Sequence, residues 1–109
     1  MTKTMSKEMI TIDQFGVCDI RVGTILSADF VEGADKLLCF KVDLAETYTD
    51  EEGNLIPRVR QILSGIREYY PDPSVLVGLQ VPVLCNLPTR KLRGLESEGM
   101  ILYAVGEGN

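Results

Sequence analysis

Apolar and polar positions alternate most regularly before the middle of the chain. Over residues 37–44 the even positions are apolar and hold Leu38, Phe40, Val42 and Leu44. A repeat of two places successive side chains on opposite faces of a strand. The pattern therefore predicts a strand at 37–44 with one face buried.

The segment before it predicts a longer and less regular strand. Residues 19–30 contain the β-compatible residues Ile20 and Val22, but the alternation slips at Gly23 and Thr24. A slip of one position is typical of a β-bulge, which bends a strand. We expect this bend because a small barrel needs strongly curved strands.

Helix and turn signals divide the neighbouring segments. Thr11 and Gln14 have the spacing of a capping box, so one helical turn is expected from there to Gly16. Residues 49–54 are polar and include glycine and asparagine, which predicts an exposed hairpin tip. A third strand is expected to follow it, through residues 59–62.

The stretch after the third strand predicts short helical turns. Residues 66–70 have room for one or two turns, with Ser64 as the cap. Prolines at positions 71 and 73 interrupt them, because proline disfavours helix in the residue before it. A second short turn is expected to end at Gly78.

The remaining strands complete an all-β prediction. Residues 79–87 predict a fourth strand, with Pro82 at an edge or a bulge because it lacks an N–H, and residues 100–105 predict a fifth. Five short strands with one small helical segment between the third and fourth match a five-stranded Greek-key barrel of the OB type, with one or two short helices. A chain of 109 residues forms one domain, expected at 11–109 after a flexible tail at 1–10.

Composition narrows the possible chemistry. The chain has no histidine, which excludes a Ser-His-Asp triad, a Cys-His pair and a histidine-liganded zinc site. Its cysteines, Cys18, Cys39 and Cys85, have neither metal-ligand spacing nor an even number, so we expect buried thiols. We expect no enzyme activity, metal or cofactor. With no signal peptide and no apolar run of about 20 residues, a soluble cytoplasmic protein is predicted.

The charge is unevenly distributed along the chain. The total is −5, but residues 1–55 carry −6, residues 56–95 carry +4 and residues 96–109 carry −3. A local patch, rather than the total charge, determines where an anion docks. If folding brings the cations of the middle segment together, they form such a patch; if it does not, they belong to a mixed solvated surface. The cations of this segment are Arg58, Arg60, Arg67, Arg90, Lys91 and Arg93.

Several short strings occur in an order that resembles one family. They are DIRVG at 19–23, ADKLL at 34–38, SGIR at 64–67, NL at 86–87, KLRG at 91–94 and SEGM at 97–100. Together they resemble the tRNA-binding domain. That domain is found at the C-terminus of bacterial methionyl-tRNA synthetases, in stand-alone dimeric tRNA-binding proteins and in the endothelial monocyte-activating polypeptide family.

The resemblance implies a non-catalytic OB-fold that docks on the outer corner of folded tRNA and recognises its shape more than its sequence. It implies a homodimer in which the positive surfaces of two subunits bind one tRNA. An aminoacyl-tRNA synthetase is the further partner that it suggests, and neither a membrane nor a small-molecule substrate is expected. The few scattered aromatic residues fit shape recognition better than stacking on single strands.

The basic string at 91–94 supplies the first candidate contacts. Lys91 and Arg93 are two residues apart, so in an extended segment both side chains reach the same side, where they bind phosphate oxygens, and Arg90 points the opposite way. Gly94 permits close approach of RNA or a positive φ. A simple turn explains the same residues equally well. Lys36 matches a lysine of the family and is expected to face solvent.

Four other matching residues have a structural alternative. Asn86 either contacts a base edge or a ribose 2′-hydroxyl, or caps the following turn. Ser97 donates to phosphate or holds a turn, and Met100 packs on a nucleotide or on the core. Ser64 either contacts RNA or caps the helical turn. The resemblance favours RNA for Ser97 and Met100.

Two other functions fit this barrel. A group of bacterial proteins with the same fold is described as peptide-binding secretion chaperones, which share the 19–21 region but look less like this chain around 64–66. A third possibility is an assembly module that dimerises or tethers methionyl-tRNA synthetase through apolar surface. That surface is expected around Ile10, Ile12, Phe15, Tyr69 and Tyr70.

Overall fold

A computed structural model describes residues 7–103. One short helix, α1 (Ile12–Phe15), precedes the strands. The strands are β1 (Ile20–Val31), β2 (Ala34–Thr49), β3 (Leu55–Ser64), β4 (Gln80–Leu84), β5 (Arg90–Leu92), β6 (Leu95–Ser97) and β7 (Met100–Ile101). Two 3₁₀ turns, Arg67–Tyr69 and Pro73–Leu76, connect β3 to β4.

The strands form a curved antiparallel sheet. Its order is β3-β2-β1-β4-β7, and β5 pairs with β6 in a separate hairpin. Strand β3 also packs against β6 and β7, so the two ends of the sheet approach each other. This arrangement confirms the predicted all-β, OB-like fold.

The interior of the barrel is built by the strand that showed the clearest alternation. Leu38, Phe40 and Val42 of β2 are completely buried, as are Ile62 of β3 and Val83 of β4. Burial of such side chains stabilises a fold by about 1.5–3 kcal/mol each. Strand β2 is longer than predicted. It is interrupted between Asp43 and Glu46, where the intervening Ala45 has a φ of 59° and donates its N–H to the Asp43 carboxylate at 2.8 Å.

The bend in β1 lies later than the sequence predicted. The register with β2 shifts between Ile25 and Ser27 and again near Val31, while Gly23 is regularly paired with Val81 of β4. Gly23 has a different role: a Cβ there would lie 2.6 Å from Val42 Cγ1. The glycine permits close packing of β1 against the buried face of β2.

Of the two capping motifs predicted from the sequence, the one at α1 is present and the one at Ser64 is not. The capping box of α1 is present, with the Thr11 and Gln14 side chains bonded to each other's backbone N–H. The prediction of Ser64 as a helix cap is wrong. Ser64 is the last residue of β3, and the following 3₁₀ turn begins at Arg67 with Ile66 at its N-cap and no side-chain cap.

Two further predictions about strands need correction. Pro82 does not lie at a sheet edge, since β4 is between β1 and β7. It is tolerated because β7 has only two residues, and its pairing with β4 ends beside Pro82, whose carbonyl accepts from Leu102 N. The fifth strand was predicted at 100–105. In the structure it is β7, which covers only Met100–Ile101, and positions 104 and 105 lie outside the described residues.

The structure describes only part of the predicted tail. Residues 1–6 of the tail lie outside the described range, and residues 7–10 form neither helix nor strand.

Cys85 is buried and Cys39 half-buried, and burial raises the pKa of both thiols. Cys18 is exposed, so the expectation of a buried thiol is wrong there. Within residues 7–103, no helix has the length and apolar character needed to cross a bilayer.

Candidate nucleic-acid interface

Two turns that are distant in sequence meet at one end of the barrel. A cavity of about 250 Å³ is lined by residues 33–37, from the β1–β2 turn and the start of β2, and by Arg93, from the β5–β6 turn. Lys36 and Arg93 thus belong to one surface. In OB-folds the loop after the first strand and the loop before the last strand are the ones that bind oligonucleotides.

The β5–β6 hairpin is held on the barrel by its apolar residues. Leu92 and Leu95 pack against a small cluster made by Val31, Ala34 and Leu63. Between them lies a two-residue turn in which both φ angles are positive, 52° at Arg93 and 81° at Gly94. A tight hairpin with that geometry matches the natural twist of antiparallel strands. The predicted role of Gly94 in a left-handed turn agrees with this structure.

The hairpin carries three exposed cations. Arg90, Lys91 and Arg93 are all solvent-exposed. Within the described part of the chain, none of them is within 4.0 Å of a carboxylate. Glu96 lies opposite Lys91 in the β5–β6 ladder but forms no ion pair with it, so the hairpin cations remain available to an incoming anion.

The other cations of the middle segment are engaged internally. Arg58 and Arg60 bond to Glu46, and the Arg60 side chain is only 12% exposed. Arg67 donates to Ala34 O at 2.8 Å, and its guanidinium lies 4.3 Å from the centre of the Phe30 ring. The +4 segment therefore divides into three outward cations and three that stabilise the fold.

The ionised form of Glu46, the acid that receives Arg58 and Arg60, is stabilised by its arginine partners. The hydrogen bonds from Arg60 lower the pKa of Glu46, and the charges of Arg60, Arg58 and Arg21 act in the same direction, against the opposing effect of burial. The same contacts raise the pKa of Arg60. The pair is thus a salt bridge at neutral pH.

Two predicted site residues lie inside the protein. Ser97 is 5% exposed; its hydroxyl accepts from Leu63 N at 3.0 Å and donates to Gly99 O at 3.3 Å. Ser64 is 8% exposed and is paired with Leu38 in the sheet. The hydrogen bonds of Ser97 favour the structural alternative for this residue, which fixes the end of β6 against β3. Ser64 is a buried residue of β3 and does not cap the following turn.

Three other predicted residues are at the surface, in different surroundings. Asn86 accepts from Asp19 N at 2.9 Å and donates to Val17 O at 2.6 Å, so its amide joins the end of β4 to the segment after α1. The Met100 side chain is partly exposed on β7. Lys36 is exposed, with its Nζ 4.0 Å from Glu68.

Comparison with known proteins decides the family. Residues 20–109 match the family described as "Putative tRNA binding domain". The chain belongs to the tRNA-binding domain family. The match begins at the first residue of β1 and includes the whole cationic hairpin.

Curated relatives of this tRNA-binding domain are much longer proteins. It is 49% identical over 100 residues to the methionine–tRNA ligase of Chromobacterium violaceum, covering 91% of this chain and 13% of the relative. It is 40% identical over 104 residues to that of Lactiplantibacillus plantarum, covering 95% of this chain and 14% of the relative. The chain thus spans about one seventh of the length of the ligases that it matches.

Solved structures share the fold of this tRNA-binding domain. A protein from Pyrococcus horikoshii described as related to MetRS has a TM-score of 0.76 and 28% identity, covering 93% of this chain and 82% of the other. The chaperone CsaA of Bacillus anthracis has a TM-score of 0.70 and 25% identity, with the same coverage. A MetRS-related protein and a chaperone are therefore both represented among structures of this shape.

Sequence reasoning missed two features of this tRNA-binding domain. One is the hairpin that carries Arg90, Lys91 and Arg93, for which only an extended segment or a simple turn was expected. The signal was present, since a two-residue turn at 93–94 between flanking leucines is typical of a tight hairpin. The opposite direction expected for Arg90 stays a prediction. The other missed feature is Glu46, the acid that binds Arg60, and no local pattern identifies it.

Proposed function

We propose that this domain is a non-catalytic tRNA-binding protein that docks on folded tRNA through shape and phosphate contacts. The observation that carries the proposal is that the hairpin cations Arg90, Lys91 and Arg93 are exposed. They lie where OB-folds bind nucleic acid, and the chain is a member of the tRNA-binding domain family. Lys36 extends the surface across the shared cavity.

The proposed contacts are assigned by exposure. Lys36, Lys91 and Arg93 reach phosphates. Gly94 allows the RNA backbone to approach the turn, and Met100 packs on a nucleotide. Ser64, Ser97 and Asn86 act indirectly, because their polar groups lie within the fold or bond to its backbone. Phosphate contacts fix position without reading sequence, which suits recognition of a shape common to all tRNAs.

A filter-binding or gel-shift assay tests the proposal. Bulk tRNA is compared with duplex DNA of similar length and charge over a series of salt concentrations. We expect tighter binding of tRNA and an affinity that falls as salt rises, because bound phosphates release counterions. Equal affinity for the two nucleic acids, or an affinity insensitive to salt, would contradict the assignment.

We further propose that the domain acts as a homodimer. Its support is a run of exposed apolar side chains from α1 to the start of β1: Ile12, Phe15, Val17, Ile20 and Val22. Where exposed apolar side chains form a contiguous patch, the patch marks an association site. Sedimentation with and without tRNA checks the assignment. A monomer that retains full tRNA affinity would oppose it.

An aminoacyl-tRNA synthetase is the proposed partner. The support is that the relatives are methionine–tRNA ligases, of which this chain corresponds to about one seventh. In this role the domain raises the local concentration of tRNA for a catalytic region that it does not itself contain. Adding the domain to a methionine–tRNA ligase that lacks this region should lower the KM for tRNA and leave the KM for methionine unchanged.

The likeness to chaperone CsaA supports one second candidate, a peptide-binding chaperone. The exposed apolar surface near α1 would then receive unfolded segments of a client protein. Suppression of client aggregation at stoichiometric amounts, without a tRNA shift, would favour this function over the first.

A further inference from the structure

One guanidinium group joins both ends of the segment that carries the cationic hairpin. Nη1 of Arg60 donates to Cys85 O at 2.8 Å and to Glu98 O at 2.9 Å. Cys85 follows the end of β4, and Glu98 follows the end of β6. The carbonyls that flank residues 86–97 on both sides therefore bond to a single nitrogen atom.

The remaining donors of Arg60 fix its orientation. Nε and Nη2 each lie 2.8 Å from an oxygen of the Glu46 carboxylate, one on Oε1 and the other on Oε2. Such a paired contact aligns the planar group of arginine and is not available to lysine. Glu46 itself lies just after the irregularity at Ala45 in β2.

The returning end of the segment has additional supports. The Glu98 carboxylate accepts from Arg58 Nη2 at 2.7 Å and from Gln61 N at 3.2 Å. Glu98 N donates to Gln61 O at 2.8 Å, and the Gln61 side chain donates to Glu96 O at 2.9 Å. All of these supports come from β3, the strand that contains Arg60.

We propose that Arg60, oriented by Glu46, is a positioning residue that clamps the base of the 86–97 segment and thereby sets the affinity for tRNA without touching RNA. The inference rests on the proposed function of the hairpin cations. A guanidinium whose N–H groups already bond to a carboxylate and two carbonyls has little left to offer a phosphate. Its influence on RNA must act through the geometry of the hairpin.

The conservative substitution Arg60→Lys separates geometry from charge. Lysine keeps the positive charge but loses the paired contact and one or both carbonyl bonds. We expect R60K to weaken tRNA binding about 10-fold, the size of one charge-assisted contact, and to accelerate amide exchange within 86–97. Wild-type affinity in folded R60K would mean that charge alone matters, and would overturn the proposal.

The substitution Glu46→Gln gives a test of sign. It removes a negative charge from an acidic protein, so simple electrostatics predicts tighter binding of tRNA. Loss of the clamp predicts weaker binding. Glu51→Gln, at the exposed β2–β3 tip, makes the same change in charge away from the clamp and is the matched control. Weaker binding for E46Q than for E51Q supports the clamp, and equal or tighter binding refutes it.

The two proposals fail in distinguishable ways. If changes at Lys91 and Arg93 leave tRNA affinity unchanged, the proposed function of the hairpin fails, whatever R60K does. If those changes weaken binding but R60K and E46Q do not, only the clamp fails. Circular dichroism and thermal unfolding establish that each variant is folded at the assay temperature, and E46Q carries the test if R60K does not fold.

Discussion

The salt dependence of tRNA binding measures directly how many hairpin cations contact phosphate. Each contact contributes about 0.9 to the slope of log affinity against log salt on a duplex, so it costs about 3.5-fold in affinity between 50 and 200 mM salt. Three contacts from Lys36, Lys91 and Arg93 would together cost about 40-fold for each subunit over that range.

Arg93→Asn is the sharpest single perturbation. It removes one charge at a position where φ is 52°, and asparagine tolerates that left-handed backbone better than most residues. The turn should therefore stay intact. We expect the slope to fall by about 0.9 for each subunit that contacts the tRNA, and the affinity for every tRNA tested to weaken to a similar degree.

Arg21→Gln provides the control. Arg21 is also exposed, but its guanidinium bonds twice to Asp19, at 3.0 Å each, at the start of β1. Fluorescence titration at four or more salt concentrations gives the slope for each variant. The reasoning would be refuted by a slope that is unchanged in R93N, by one that falls as far in R21Q, or by weakening confined to one tRNA.

Three further predictions concern the fold. Gly23→Ala places a Cβ within 2.8 Å of both Val42 and Leu44 side chains and should cost about 1–3 kcal/mol in urea unfolding; an unchanged midpoint would contradict this packing. Because the folded pKa of Glu46 is depressed, its carboxylate stabilises the fold above the ordinary glutamate pKa and loses that contribution as pH falls through the lower folded value. Acid titration of the unfolding free energy should therefore be flatter below about pH 4.5 in E46Q than in the wild type. Asn86→Ala should destabilise by about 1 kcal/mol and speed amide exchange near α1; unaltered exchange there would show that the amide bonds are dispensable.

The sequence determined those parts of this protein that depend on near neighbours in the chain. The alternation at 37–44 produced a strand with Leu38, Phe40 and Val42 fully buried, because the period of a strand is a local property. The capping box at Thr11 was found for the same reason, since its partners are three residues apart. The family strings also pointed to the correct family.

Only the tertiary structure decided which charges are free to act. Arg60 and Arg93 look equivalent in the sequence, yet Arg60 bonds to Glu46, whereas Arg93 is exposed and has no carboxylate of residues 7–103 within 4.0 Å. Ser97 likewise matched a surface motif but lies in the interior. A salt bridge or a buried hydroxyl depends on partners distant along the chain, which no local pattern specifies, so the candidate site emerged only when the barrel brought those partners together.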